Sequence, residues 1–438
     1  MVTETTILTT CPSCQTPVGE REDGTTCPHC GCRTHRNCWE HDGGKCMSSK
    51  CITARLEQHT DVAALTQAAK VPHESDRNLW LAIAAGILVL VATAFLANVF
   101  VKDTIKILVF AVVLAALAFD YVNGMHDAGN AIATVISTRV LTPFAALLMA
   151  AALNLLGALF FSGVAKSIAS KFALSTDNIT PIMILCGLLG ASAWSFLTAR
   201  WGVPVSTSHS LFGGLIGVFL LSGIPLNFKY LGLIGFFMVA APLMAFIAGW
   251  IVMILLTWIF RHAVPHKLNK GFRIMQLFSS ASVAFSHGAN DAQKAMGIIT
   301  LALVSGKFIR VADIHNVEVP VWVKIACALV IALGTGFGGM RVIRTLGHRI
   351  IKLAPVHGFA AETVAAATIQ VVTHLGIPIS TTHVISSSIL GIGASRRLSS
   401  VRWGLAANIM LAWIVTIPTT AVAGALLYQI VKIIFRLH

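Results

Sequence analysis

The sequence predicts an all-α polytopic membrane protein: an inverted-topology repeat with two re-entrant helical hairpins, behind a small cysteine-rich N-terminal domain. Three observations carry that prediction. Of 438 residues, 56% are hydrophobic and only 11% charged, whereas a soluble domain is about 25% charged. Two polar motifs each occur twice, in the same order, inside apolar stretches. Eight of the ten cysteines crowd into residues 11–51.

The head comes first. Its cysteines read C-x2-C at Cys11 and Cys14, C-x2-C at Cys27 and Cys30, then Cys32, His35, Cys38, Cys46 and Cys51. Two such pairs followed by a His/Cys set give a zinc-site spacing. On a reducing cytoplasmic side, disulfides are the weaker reading. An interleaved arrangement uses Cys11, Cys14, His35 and Cys38 for one ion and Cys27, Cys30, Cys46 and Cys51 for the other, with His29, Cys32 and His41 as substitutes. The stretches "CPSCQTP", "CPHCG" and "HRNCWE" resemble prokaryotic RING-like domains. So residues 1–51 are expected to be a RING-like zinc-binding domain holding two structural zinc ions, because about forty residues bury too little core to fold alone. The ligand positions look filled, which leaves no open coordination for catalysis. A docking role with a protein partner is the natural expectation. Residues 52–78 read as a polar linker.

Next come the spans. A transmembrane helix needs about 20 apolar residues. Residues 79–100 form an extra span. Residues 104–260 form a first repeat, with spans at 104–122 (continuing to 138), 143–163, 181–200 and 230–260. A cytoplasmic basic loop, 261–273, leads into a second repeat, 274–438, with spans at 274–304, 321–340 and 403–431. Two pieces, 211–222 and 384–393, are too short to cross alone, and each is expected to be the return arm of a hairpin. With the head inside, the basic groups Arg261, Lys267, Lys270, Arg273, then Arg341, Arg344, Arg349, Lys352, then Arg396, Arg397, Arg402 all fall in the cytoplasm, as the positive-inside rule asks. The net charge of +14 is thereby a loop property rather than a nucleic-acid footprint. The lipid bilayer is the main partner, and a homo-oligomer is compatible with the pattern.

The repeated motifs are "NGMHDAGNA" (123–131) with "HGANDAQKA" (287–295), and "GVPVSTSHS" (202–210) with "GIPISTTHV" (376–384). Matching polar breaks in two halves point to a binding site at the repeat interface. Each Ser/Thr tip opens a helix: Ser206, Thr207, Ser208 in one, and Ser380, Thr381, Thr382 in the other. Helix starts offer unpaired N–H groups and partial positive charge, a ready anion site. The same residues would also serve as plain helix caps. Asp127 and Asp291 lie in the same interior and call for a cation, with Asn123, Asn130, Asn290 and His126 beside them. Lys294 stands where the first motif has Asn130, a fixed positive charge in place of a sodium site, which favours proton coupling. His209, His383 and His287 read either as titrating groups or as hairpin hydrogen-bond partners. Asn154 and Glu362 are buried polar candidates for a cation site. Arg200 either aids anion capture or snorkels to an interface.

"NGMHDAGNAIATVIST", "SHGANDAQKAMG", "PVSTSHSLFGGLIG" and "IPISTTHVISSSILG" resemble the inorganic phosphate transporter (PiT) family, bacterial low-affinity branch, from about residue 104 to the C-terminus. The resemblance implies a central phosphate and cation site on Asp127, Asn290, Asp291, Ser206, Thr207, Ser208, Ser380, Thr381 and Thr382. It implies import of phosphate, alone or as a neutral metal–phosphate complex, by proton symport through alternating access. His126, and the pair Gln293–Lys294, depart from the sodium-coupled pattern "GANDVANA". The expectation is therefore a transporter and not an enzyme, multi-pass in the bacterial inner membrane. The alternatives are coupling to Na, sulfate or another oxyanion as substrate, or a membrane-anchored zinc-finger adaptor or sensor.

Overall fold

The computed structural model describes residues 9–10, 17–18, 24–27, 33–41, 104–174, 178–309, 317–351 and 353–434. Contacts divide the chain into two units, Met1–Val89 and Leu90–His438. The ligand candidates Cys11, Cys14, Cys30, Cys46 and Cys51, the linker 52–78 and the expected span 79–100 lie outside the described residues.

In the first unit, β1 (Thr9–Thr10) pairs antiparallel with β2 (Pro17–Val18), and β3 (Gly24–Thr26) with β4 (Arg33–His35). Helix α1 (Arg36–His41) follows. Cys27 directly follows β3 and is buried, His35 closes β4, and Cys38 sits in α1. Two-stranded ribbons this short are marginal in water by themselves.

The second unit is helical. Its first half holds α2 (Thr104–Ser137), α3 (Pro143–Phe160), α4 (Gly163–Lys171), α5 (Pro181–Trp201), α6 (Thr207–Leu221) and α7 (Phe228–Ile259). Its second half holds α8 (Pro265–Ser305), α9 (Val321–Phe337), α10 (Met340–Arg344, continuing as a π turn Thr345–Arg349), α11 (Pro355–His374), α12 (Thr381–Arg396) and α13 (Trp403–Ile434). Proline opens α3, α5, α8 and α11, the position where its missing N–H costs nothing and its fixed φ suits a helix. Among the described residues five helices, α2, α3, α5, α7 and α13, are long and apolar enough to cross a membrane, and α9 with α10 passes as a pair bent by 61°. A row of exposed Leu, Ile, Phe and Trp on α7 and α13 fits a lipid-facing surface.

The boundaries differ from expectation at three places. Residues 261–273 are irregular only as far as Val264; the rest is the first turns of α8, because Pro265 starts a helix and the following residues are nearly all helix-tolerant. Arg341 and Arg344, expected in a loop, ride on α10, and Arg341 donates to the carbonyl of Arg200. Helix α4 was not expected: Gln293 builds it by accepting from the N–H groups of Val164 (2.8 Å) and Ala165 (3.2 Å) at its start, a long-range cap that no local pattern reveals.

The packing of each half has a counterpart in the other. α2 lies on α9 as α8 lies on α3, α6 on α13 as α12 on α7, and α2 on α5 as α8 on α11. The close approaches match residue for residue. Gly124 abuts the Ile331 carbonyl and Gly288 the Asn154 carbonyl; Gly217 abuts Ala421 and Gly391 abuts Phe246. At all four positions a Cβ would strike backbone, so helix contact there requires glycine. α2 and α8 pack antiparallel, with Ser280 Oγ bonding the Ala131 carbonyl near one end and Gly306 against Val109 at the other.

Candidate functional site

Two chain reversals build the site. α5 ends on Gly202 in the left-handed conformation (φ 71°), and its N–H returns to the carbonyls of Thr198 and Ala199. Gly376 does the same after α11 (φ 70°). Four residues on, Ser206 caps α6 by accepting from the N–H of His209 (3.1 Å), and Ser380 caps α12 by accepting from that of His383 (3.2 Å). The two tips meet: Ser208 Oγ donates to the Ile379 carbonyl at 2.9 Å, and the imidazoles of His209 and His383 stack at 4.5 Å. Trp413 stacks on His383 at 3.8 Å and donates to the Pro204 carbonyl at 3.0 Å, tying the last helix to both tips.

Asp127 lies between these helix starts, and both tips reach it. Thr382 of α12 donates to its Oδ1 (3.2 Å), while Thr207 of α6 lies 3.3 Å from its Oδ2 and bonds Asn123 Oδ1 at 2.7 Å. Asn130 donates to Thr382 (3.0 Å) and Thr381 (3.3 Å). His126 holds Asp127 Oδ1 at 2.6 Å and places its other ring nitrogen 3.3 Å from the Val203 carbonyl. From α8, His287 Nε2 lies 3.9 Å from Asp127 and 3.5 Å from Asp291. Lys294 Nζ bonds Asp291 Oδ1 at 2.8 Å. All these side chains are buried.

Thus the structure gathers Asn123, His126, Asp127, Asn130, Thr207, Thr381, Thr382, Asp291 and Lys294. Two groups of expected residues stand differently. The hydroxyls of Ser206 and Ser380 are engaged as caps, and Ser208 is engaged between the tips, which leaves Thr207 and Thr382 at the aspartate and Thr381 at Asn130. Asn290, also buried, donates to Thr373 on α11 (2.9 Å). Asn154 joins the site indirectly: it bonds His287 Nδ1 (3.0 Å) and donates to Thr335 (2.8 Å). Glu362 belongs to a separate buried cluster, accepting from Thr134, Ser279 and Gln276, with Thr138 donating to Gln276.

Chemically, two helix starts with hydroxyl side chains face one carboxylate and a neighbouring His–Asp–Lys group. Asp127, His287 and Asp291 each offer a ligand atom within 4.8 Å of the others, a spacing that suits a cation. Sequence reasoning missed Asp120. It is fully buried, seven residues before Asp127 on α2. Its signal was a carboxylate within an apolar run, three residues before a motif and two helical turns from Asp127.

Comparison with known proteins gives a consistent picture. A profile of the Phosphate transporter family matches residues 123–424, so the cysteine-rich head lies outside it. A probable low-affinity inorganic phosphate transporter of Bacillus subtilis is 41% identical over 337 residues, 76% of this chain and 100% of the relative. One of Rhizobium meliloti is 41% identical over 324 residues, 73% of this chain and 96% of the relative. Among solved structures, the sodium-dependent phosphate transporter aligns with a TM-score of 0.69 at 25% identity, across 76% of this chain and 100% of that one.

Proposed function

The chain belongs to the phosphate transporter family, a family of multi-pass membrane transporters rather than enzymes, and from that premise we propose that it imports phosphate by proton symport through alternating access. The observation that carries this reading is the meeting of two hydroxyl-bearing helix starts on Asp127. Their N–H groups and dipoles supply most of the attraction for a tetrahedral oxyanion, with Thr207, Thr381 and Thr382 as further donors. An anion beside Asp127 and Asp291 needs a cation between them. The spacing of Asp127, His287 and Asp291 supports cargo in the form of a metal–phosphate complex.

Proton rather than sodium coupling rests on Lys294. Its ammonium already fills the position next to Asp291 that a monovalent cation would take. The resemblance to a sodium-dependent transporter favours a second reading, sodium coupling at Asn123, Asp127 and Thr207. Phosphate uptake into proteoliposomes under separately imposed pH and sodium gradients decides between them. Accumulation driven by the pH gradient alone is expected; accumulation driven by sodium alone overturns the reading. Excess sulfate is expected to leave uptake in place.

The two halves act, on this reading, as an inverted repeat whose hairpins α5–α6 and α11–α12 are re-entrant from opposite faces of the bacterial inner membrane. The antiparallel packing of the matching helices α2 and α8, and the matched glycine contacts, support it. The head is proposed to hold two structural zinc ions on the cytoplasmic side. Support comes from the cysteine spacing, and from Cys27, His35 and Cys38 flanking one hairpin and its following helix. Metal analysis of the purified full chain is expected to find two zinc ions per chain; a zinc-free, folded protein would rule the assignment out.

A further inference from the structure

Asp120 has no role in the reading above, yet its surroundings are unusual. Neither of its oxygens has a hydrogen-bond partner, and none of its surface reaches solvent. An ionised carboxylate at such a place, with no hydrogen-bond donor on it, is strongly disfavoured unless a counter-charge comes onto it. The contacts between α2 and α8 run Ala131–Ser280, Asp127–His287 and Val109–Gly306. In that antiparallel register Asp120 falls opposite the turn of α8 that carries Lys294. The charges acting on Asp120 are indeed Lys294 and Asp291, with Cys327 of α9 as the other titratable group facing it and the Asn123 amide on its own helix. That amide Nδ2 also lacks a hydrogen-bond partner, as does Asp291 Oδ2, which faces His287 Nε2 at 3.5 Å. The repeat makes the pair distinctive: the counterpart of Asp120 is the buried Ala284, and that of Lys294 is Asn130.

One buried ammonium thus has two carboxylates on one layer and is bonded to one of them. We propose that Asp120 carries the coupling proton while Lys294 rests on Asp291, and that on losing the proton it draws Lys294 across. The step balances. The O–H bond of Asp120 breaks and its proton passes to water on the release side. Lys294 keeps its three protons and exchanges a hydrogen bond to Asp291 for one to Asp120. Asp291 is then free to face the cation that accompanies phosphate. On this proposal the transfer itself links proton release to cargo: Lys294 stays on Asp291 while Asp120 holds the proton, and leaves Asp291 once the proton has gone. The inference rests on the proton-symport reading and assigns its proton to a residue.

The test uses the full chain in liposomes and two assays: accumulation of phosphate under an imposed pH gradient, and phosphate exchange with equal pH on both sides. Wild type comes first; if it fails to accumulate under the pH gradient, the symport reading itself falls. In Asp120→Asn, gradient-driven accumulation is expected to drop to the level of protein-free liposomes, while exchange persists and loses its dependence on pH. Asp120→Glu is expected to restore accumulation. Accumulation by Asp120→Asn equal to wild type overturns the inference. So does the loss of both assays in both variants, which would mark Asp120 as structural.

Discussion

At the scale of single residues, Thr382 shows how closely the site is shared between the halves. Its hydroxyl accepts from Asn130 and donates to Asp127, both on α2, while the residue itself belongs to the opposite half. Thr382→Val keeps the shape and removes both bonds. Asp127 retains His126 and Thr207, so the expected cost is about 1–1.5 kcal/mol, or roughly tenfold in the KM for phosphate uptake. An unchanged KM would remove Thr382 from the substrate's surroundings. Asp127, Asp291 and the tips were legible in the sequence because ionisable groups and hydroxyl runs stand out against an apolar background. The division of labour within each tip was not. Whether Ser206 or Thr207 points at the aspartate depends on which one takes the extended Ncap backbone, and both are hydroxyl residues. Asp120 escaped because it has no counterpart in the repeat, and the repeat was the guide.

At the scale of helices, the decisive contacts are those where glycine lets two backbones touch. Gly391 of α12 meets the Phe246 backbone of α7, as Gly217 of α6 meets Ala421 of α13. With lipid outside, such packing replaces the hydrophobic drive that holds soluble helices together. Gly391→Leu forces α12 off α7 and is expected to cost at least the roughly 1–3 kcal/mol of an overpacked core. Gly232→Leu, where no atom lies within 4 Å of the added Cβ, serves as the control. Thermal unfolding in detergent, followed by tryptophan fluorescence, compares them; equal midpoints would contradict the packing argument. Helix existence was legible from apolar runs and starting prolines. The start of α8, helix α4 and the bend between α9 and α10 were not. Those are fixed by partners distant in sequence, such as Gln293 for α4.

For the whole molecule, the division into a polar head and an apolar body was plain from composition, since cysteine and charge separate at the first long apolar run. The body alone carries the family match, and the residues gathered at the site all belong to it. Removing residues 1–78 is therefore expected to leave phosphate uptake into proteoliposomes intact at matched protein density. Abolished uptake by a correctly inserted truncation would make the head part of the transport machine. The pairing of matching contacts across the body was foreshadowed by the duplicated motifs. Its exchange of partners, with each half completing the other, needed three dimensions.

The buried cluster around Glu362 breaks that equality. The positions matching Glu362, Gln276, Ser279 and Thr134 are Leu188, Val112, Ala115 and Ile298, all hydrocarbon. A balance with identical pans would hang level, whereas this one is weighted on a single side and comes to rest tilted. Without cargo the protein should dwell open toward one compartment. A cysteine replacing Thr207 would then be tagged by an impermeant thiol reagent from mainly one face, and Glu362→Gln should even out the labelling. Equal tagging from both faces in the unaltered background would show the weights to be idle.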